Sequence, residues 1–272
     1  MTDWKELLIS TASKVQEVCE SVGSGGERDR KVGVGAAGDE TLLADSEAER
    51  VILDALASVG DVRILSEEAG ERGPRSSRFL AIVDPLDGSS NFSRGIPFYC
   101  TSICIVEGHN LSDARFAVVR NLVNGDVYYA ERGAGASKNG RRLRPSTKTE
   151  LSHSVVAVDL SKAGLEVIEG LGPLTSKLGR QVHFGANALE VCMVADGEVD
   201  AFVDLRNRMR ITDLAGAHLI GKEAGIKITS EMGEDLSPSL DLESRLSVVA
   251  SANATLHQGI LGELGSFKRR RT

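Results

Sequence analysis

The four cysteines form no C-x-x-C pair and the five histidines no ligand-like spacing, which argues against a structural zinc site and against a disulfide scaffold. No apolar run approaches the roughly 20 residues needed to span a bilayer. Basic side chains are outnumbered, 32 against 39, and the net charge of −7 disfavours nucleic acid or an anionic membrane as the main partner. The amino terminus lacks a charged start followed by an apolar core, so no signal peptide is evident and a cytoplasmic location is expected.

What is present is an ordinary globular composition, 41% hydrophobic and 26% charged, in 272 residues, enough for one large domain or two fused lobes. Trp4, Leu7, Leu8, Ala12, Val15 and Cys19 recur at helical spacing behind Thr2 or Asp3 as cap. The stretch 23–38, rich in glycine and charge, reads as a linker or an active-site lid. A second helix is expected from Asp45 or Ser46 to Gly60. The runs 62–65 and 79–83 read as buried strands, each followed at once by acidic residues. Further strands are expected at 101–106, 115–119 and 127–130, the last two joined by the Asn124-Gly125 hairpin signal. Cys100 and Cys104 fall in this apolar region, where cysteine acts as a small buried hydrophobe. Beyond Gly140, strands at 155–158, 201–204 and 246–250 alternate with helices at 187–195, 212–224 and 254–264. The pattern predicts a layered α+β protein, with an N-terminal α+β lobe (1–135) and a C-terminal α/β lobe (136–272).

Asp84 leaves the run 79–83, Pro85 is expected to stop the ladder, and Asp87 follows just before Gly88-Ser89-Ser90-Asn91. Two carboxylates so close repel unless a cation, an arginine or a shared proton lies between them. A hard divalent ion such as Mg²⁺ takes oxygen ligands of this kind. The alternative is a plain turn in which both aspartates bond backbone amides. Glu67 and Glu68 end the neighbouring run, while Asp213 and Asp45 each stand at a helix start, where a cap or a dipole partner is also expected. One metal cluster accounts for four segments that each deliver a carboxylate.

Four ordered signatures carry a resemblance. Asp39 to Asp45 resembles a D-x-x-T-x-x-D segment in its two end carboxylates, with Thr41 one place early, and Ser66-Glu67-Glu68 resembles a G/S-E-E. Asp84-Pro85-Leu86-Asp87-Gly88-Ser89-Ser90-Asn91-Phe92 is similar to D-P-x-D-G-[TS]-x-N-[FY], and Thr212-Asp213-Leu214-Ala215-Gly216 resembles W-D-x-A-G with threonine in the tryptophan place. Together they resemble the inositol monophosphatase superfamily, most closely the archaeal enzymes described as inositol monophosphatase and fructose-1,6-bisphosphatase. The resemblance implies a layered αβαβα sandwich of the sugar-phosphatase type, a homodimer, and two or three Mg²⁺ ions held by Glu67, Asp84, the Leu86 carbonyl, Asp87 and Asp213. Asp45 and Ser89 would position the attacking water at the ion held by Glu67 and Asp84.

The activity implied is hydrolysis of a small sugar or polyol phosphate. Gly88 lets the backbone approach closely, so the amides of Gly88 and Ser89 can face the phosphate beside Asp87. Ser89 as the nucleophile is disfavoured, because no histidine lies nearby in sequence to serve as its base. Phe184-Gly185-Ala186-Asn187 resembles the family's G-x-A-A/L substrate segment, although a strand-to-helix turn capped by Asn187 fits equally. Arg206, with Arg180 near it in sequence, is expected to hold a second phosphate, since a guanidinium offers bidentate donors. Taken individually, Arg180, Arg208 and Arg210 are each expected as solvated surface charges. Fructose 1,6-bisphosphate is therefore favoured, with inositol 1-phosphate as an accepted or rival substrate. A 3′-phosphoadenosine 5′-phosphate or NADP phosphatase of the same superfamily is the alternative. A non-catalytic ion-binding module, tethered to RNA by the basic tail 268–271, is a third reading.

Overall fold

The computed structural model describes residues 2–36 and 38–265, so the basic tail lies outside the described residues. Helix α1 (Trp4–Ser24) is capped by Asp3, whose carboxylate accepts from Glu6 N at 3.1 Å. It runs five residues beyond Cys19. The expected loop then holds a hairpin, β1 (Lys31–Val34) and β2 (Glu40–Leu42), before helix α2 (Leu43–Ala57).

An eight-stranded sheet follows, built from β3 (Val62–Ser66), β4 (Gly70–Arg72), β5 (Phe79–Asp87), β6 (Cys100–Val106), β7 (Ala114–Asn121), β8 (Val127–Glu131), β9 (Gly135–Lys138) and β10 (Arg141–Arg142). Its spatial order is β10-β9-β8-β7-β6-β5-β3-β4, and only β3 and β5 pair in parallel. The short helix α3 (Ser89–Arg94) interrupts the passage from β5 to β6.

The chain then enters a second sheet through β11 (Val155–Val158), α4 (Leu165–Thr175), β12 (Arg180–Val182), α5 (Asn187–Asp196), β13 (Ala201–Met209), α6 (Ile211–Ala224), β14 (Lys227–Thr229), β15 (Leu246–Ser251) and α7 (Ala254–Glu263). The order is β12-β11-β13-β15-β14, with β15 antiparallel to both its neighbours.

Period-two alternation sorts the side chains into layers. Ala81, Val83, Ile103, Ile105 and Val118 face α1 and α2, while Leu80, Ile82, Cys104, Ala117 and Val119 face α5 and α6. On the second sheet, Phe202, Val248 and Ala250 face the same two helices, and Val156, Val203 and Val249 turn to α4 and α7. The result is the expected αβαβα sandwich. Helix α6 is buried almost all round because it fills the middle layer, and its N-terminus delivers Asp213 to the rim of the large sheet. Among the described residues no helix is long and apolar enough to cross a membrane.

Candidate metal centre and its two cavities

Strand β5 does not end at Pro85. It continues to Asp87, but its register against β6 slips, Asp84 facing Ser102 and Asp87 facing Cys100, so three steps on one strand match two on the other. A bulge of this kind re-aims side chains at a sheet rim. Leu86 N donates to Asp84 Oδ1 at 3.1 Å, and the Thr101 hydroxyl donates to the Asp84 carbonyl at 3.2 Å. Parallel pairing of β3 with β5 sets Ser66 against Val83, which brings Glu67 abreast of Asp84. Asp213 reaches them from the first turn of α6, and oxygens of Glu67, Asp84 and Asp213 lie within 4.8 Å of one another.

Asp87 and Asp45 are held by backbone amides. Asp87 Oδ2 accepts from Ala188 N at 2.7 Å, at the start of α5, and from the Cys100 thiol at 3.5 Å. Asp45 Oδ2 accepts from Leu42 N at 2.9 Å, closing the cap of α2. Asp87 and Leu86 line the same cavity as the three clustered carboxylates, a cleft of about 580 Å³.

Burial pushes the carboxyls of Glu67, Asp84, Asp87 and Asp213 above the ordinary range. Mutual repulsion adds to this for Glu67, where Asp213 is the main neighbour, and for Asp84, which feels Glu67, Asp87 and Asp213. Burial also raises Asp45 to about 7, with the charges of Glu68 and Glu49 assisting. An all-oxygen donor set, buried and mutually repelling, fits a hard divalent cation such as Mg²⁺.

Beside the carboxylates lies the start of α3. Gly88 has φ +90°, and a Cβ there would come within 3.1 Å of the Phe98 carbonyl and 3.2 Å of Ala186 Cβ. Only glycine lets these segments close together. Ser89 and Ser90, the first residues of α3, line the same cleft, and the first amides of a helix have no partner within it. Asn91 Nδ2 donates to the carbonyls of Phe98 and Phe184, both at 2.7 Å, and so ties α3 to the segment before α5. That segment is fixed from behind by buried Glu190, whose Oε1 accepts from Gly185 N at 2.8 Å.

A second cavity of about 850 Å³ adjoins the first and shares Asp39, Ser90, Lys162, Gly185, Arg210 and Asp213 with it. Gly185 and Asn187 line it, and Asn187 Nδ2 donates to Asp213 Oδ2 at 3.3 Å. Ala186, expected beside the substrate, is fully buried and packed against Gly88.

The expectation for Arg206 is corrected. Strand β13 extends well past residue 204, which lays Arg206 back over its own strand. Its Nε and Nη2 donate to Asp204 at 2.8 and 2.7 Å, Nη1 donates to the Ser161 carbonyl at 2.8 Å, and Nη2 also pairs with Asp159. A guanidinium so enclosed has little left for a phosphate. Arg180 opens edge strand β12 and is not among the described residues lining either cavity. The exposed cations of the second cavity are Lys162 and Arg208, with half-buried Arg245 beside them. His183 also lines it, held above its ordinary pKa by a hydrogen bond to Glu190.

Arg210, expected on the surface, is half-buried between the cavities, where Nη1 donates to Glu67 Oε1 and Nη2 to Asp39 Oδ2. Its position three residues before Asp213, at the N-cap of α6, was the available signal. The partner on the hairpin lies 171 positions away and was not legible.

Residues 1–268 match the sequence profile of the inositol monophosphatase family. A fructose-1,6-bisphosphatase/inositol-1-monophosphatase of Archaeoglobus fulgidus is 37% identical over 86% of this chain and 88% of its own length. A bifunctional NADP phosphatase/NAD kinase of Methanococcus maripaludis is 28% identical, matching 97% of this chain but 50% of its own. Among solved structures, an inositol monophosphatase–fructose 1,6-bisphosphatase superposes with a TM-score of 0.84 at 30% identity, covering 98% of this chain and 100% of that one. With its bulged Asp-Pro-Leu-Asp rim and the carboxylate delivered by α6, the chain belongs to the inositol monophosphatase family, a family of phosphatases acting on small phosphorylated substrates.

Proposed function

We propose that the protein is a Mg²⁺-dependent phosphomonoesterase that hydrolyses fructose 1,6-bisphosphate and accepts inositol 1-phosphate. The observation that carries this reading is the adjacency of the Glu67, Asp84 and Asp213 cluster to a roomy second cavity bearing Lys162, Arg208 and Arg245. The first place suits the phosphate that is cleaved. The second suits the sugar and a phosphate at its far end.

Glu67, Asp84 and Asp213 would hold one ion, with Asp87 and the Leu86 carbonyl completing the set for a second. Bound there, Mg²⁺ would neutralise phosphate oxygens and make water acidic enough to attack near neutral pH. The amides at the start of α3 face the phosphate oxygens, and the Ser89 hydroxyl orients the attacking water. Asp45, buried behind the cluster and fixed by Leu42 N, would help Ser89 to position that water. Lys162 and Arg208 bind the distal phosphate in place of Arg206, whose charge is already matched by Asp204 and Asp159.

Phosphate release from fructose 1,6-bisphosphate, inositol 1-phosphate, NADP and 3′-phosphoadenosine 5′-phosphate, each with Mg²⁺ and with EDTA, tests the reading. The sugar bisphosphate should lead and EDTA should silence all four. A nucleotide that matches or exceeds it would shift the assignment to the nucleotide phosphatases, and Mg²⁺-independent release would remove the metal.

A further inference from the structure

Helix α6 carries a second buried titratable group besides Asp213. His218, in the middle of the helix, is only 7% exposed, and its ring makes no hydrogen bond with a described residue. Burial, assisted by the charge of Lys222, pushes the imidazole down to about 4. Near neutral pH the ring is therefore uncharged and offers one N–H donor and one acceptor. Buried polar groups in native proteins are nearly always paired, so this ring calls for a partner in the space it faces. That space is a cavity of about 270 Å³. Leu111 before β7, Ala114 at its start, Leu219 on α6 and Leu236 between β14 and β15 give it apolar walls. No described residue lines both this cavity and either of those beside the carboxylate cluster.

Two cations border the same cavity. Arg132, exposed just past β8, makes no side-chain hydrogen bond or ion pair with a described residue. The nearby Asp113 carboxylate is taken up by the amides of His109 and Asn110. Lys222 approaches only the exposed Asp235, at 3.8 Å. Glu223, the remaining acid, spends one oxygen on Gly133 N and the other on Gly135 N, both at 2.9 Å. We propose that this cavity is a binding site for a small monocarboxylate with an apolar body. Its carboxylate would pair with Arg132 and Lys222 and accept the His218 ring N–H, while its body lies among the leucines. The volume is below the roughly 300–1,000 Å³ of sites for drug-sized molecules, which limits the ligand to a single ring or a short chain. Inorganic phosphate would match the cations but leave the leucines uncovered. The inference does not depend on what the carboxylate cluster binds.

The test uses the full chain in EDTA, with benzoate, benzamide and inorganic phosphate as probes. Imidazole signals are followed by NMR, that of His218 being identified by its loss in His218→Gln. Benzoate should saturate with a Kd on the order of 1 mM or tighter and move the His218 signals. Benzamide, which lacks the charge, and phosphate, which lacks the apolar body, should act on that ring at least roughly tenfold more weakly. Arg132→Gln and Lys222→Gln should each weaken benzoate by a similar factor. Both side chains are exposed, so these variants do not threaten the fold. Failure of benzoate to saturate, equal binding of benzamide, or unchanged benzoate affinity in both variants would overturn the proposal. Shifts at His183 in place of His218 would put the anion in the second cavity and overturn it too.

Discussion

Arg206 and Arg210 stand four positions apart, yet one is enclosed by its own strand's neighbours and the other is shared between segments, so their variants should behave differently. Arg206→Ala leaves Asp204 and Asp159 buried without their cation, a loss of about 3–5 kcal/mol that urea unfolding would measure. Its main consequence should be stability rather than choice of substrate. Lys162→Ala and Arg208→Ala, by contrast, remove exposed charges facing the second cavity. Each should raise KM for fructose 1,6-bisphosphate by roughly ten- to a hundredfold, about the 1.5–3 kcal/mol of a charged hydrogen bond, while Arg208→Ala leaves inositol 1-phosphate turnover almost unchanged. Asp84→Asn and Asp213→Asn act at the cluster itself. Each should lower turnover by more than roughly a hundredfold, the upper range for residues that merely support a metal's ligands, while the circular dichroism spectrum is retained.

At the scale of elements, the turn after β5 depends on one backbone conformation. Gly88→Ala introduces a side chain at φ +90° against the Phe98 carbonyl, so it should cost about 1–3 kcal/mol in thermal unfolding and weaken activity by shifting the start of α3. Much of this architecture was legible because short apolar runs end in acids at Glu67 and Asp84, and because Asp213 opens a helix of clear periodicity. Helix α4 was not legible, since Gly170, Gly172 and Pro173 within it are all poor helix formers whose cost is offset by packing of Val167, Leu171 and Leu174 under the second sheet. The continuation of β5 through Pro85 escaped for a related reason. A proline is tolerated where the ladder already slips, and register is a property of two strands rather than of one. The enclosure of Arg206 likewise required Asp159, 47 positions earlier in the chain, which sequence spacing cannot bring near.

Over the whole molecule, the buried acids make stability depend on pH and on cation together. Asp45 rises from an ordinary carboxyl value to about 7 in the folded chain, so between about pH 4 and 7 the native state holds a proton that the unfolded state has released. Stability contributed in this way is present at low pH and lost as pH rises through 7, in principle by an amount of order 4 kcal/mol. The raised carboxyls of Glu67, Asp84, Asp87 and Asp213 act in the same direction. In EDTA the melting temperature should therefore fall between pH 5.5 and 8, and Mg²⁺ should restore most of the loss at pH 8 and little at pH 5.5. A melting temperature that rises over that interval in EDTA would contradict the assignment.

Helix α6 has one further consequence. It lies between the sheets, carrying Asp213 to carboxylates that come from the other half of the chain. A cut at exposed Thr149 would yield two pieces, one with Glu67 and Asp84 and the other with Asp213, neither able to assemble the cluster alone. Each piece would also expose one wall of the shared apolar middle layer, which favours reunion when both are made in the same cell. Phosphatase activity recovered only on co-expression would make this chain a split reporter, whose signal reads whether two fused partners have met.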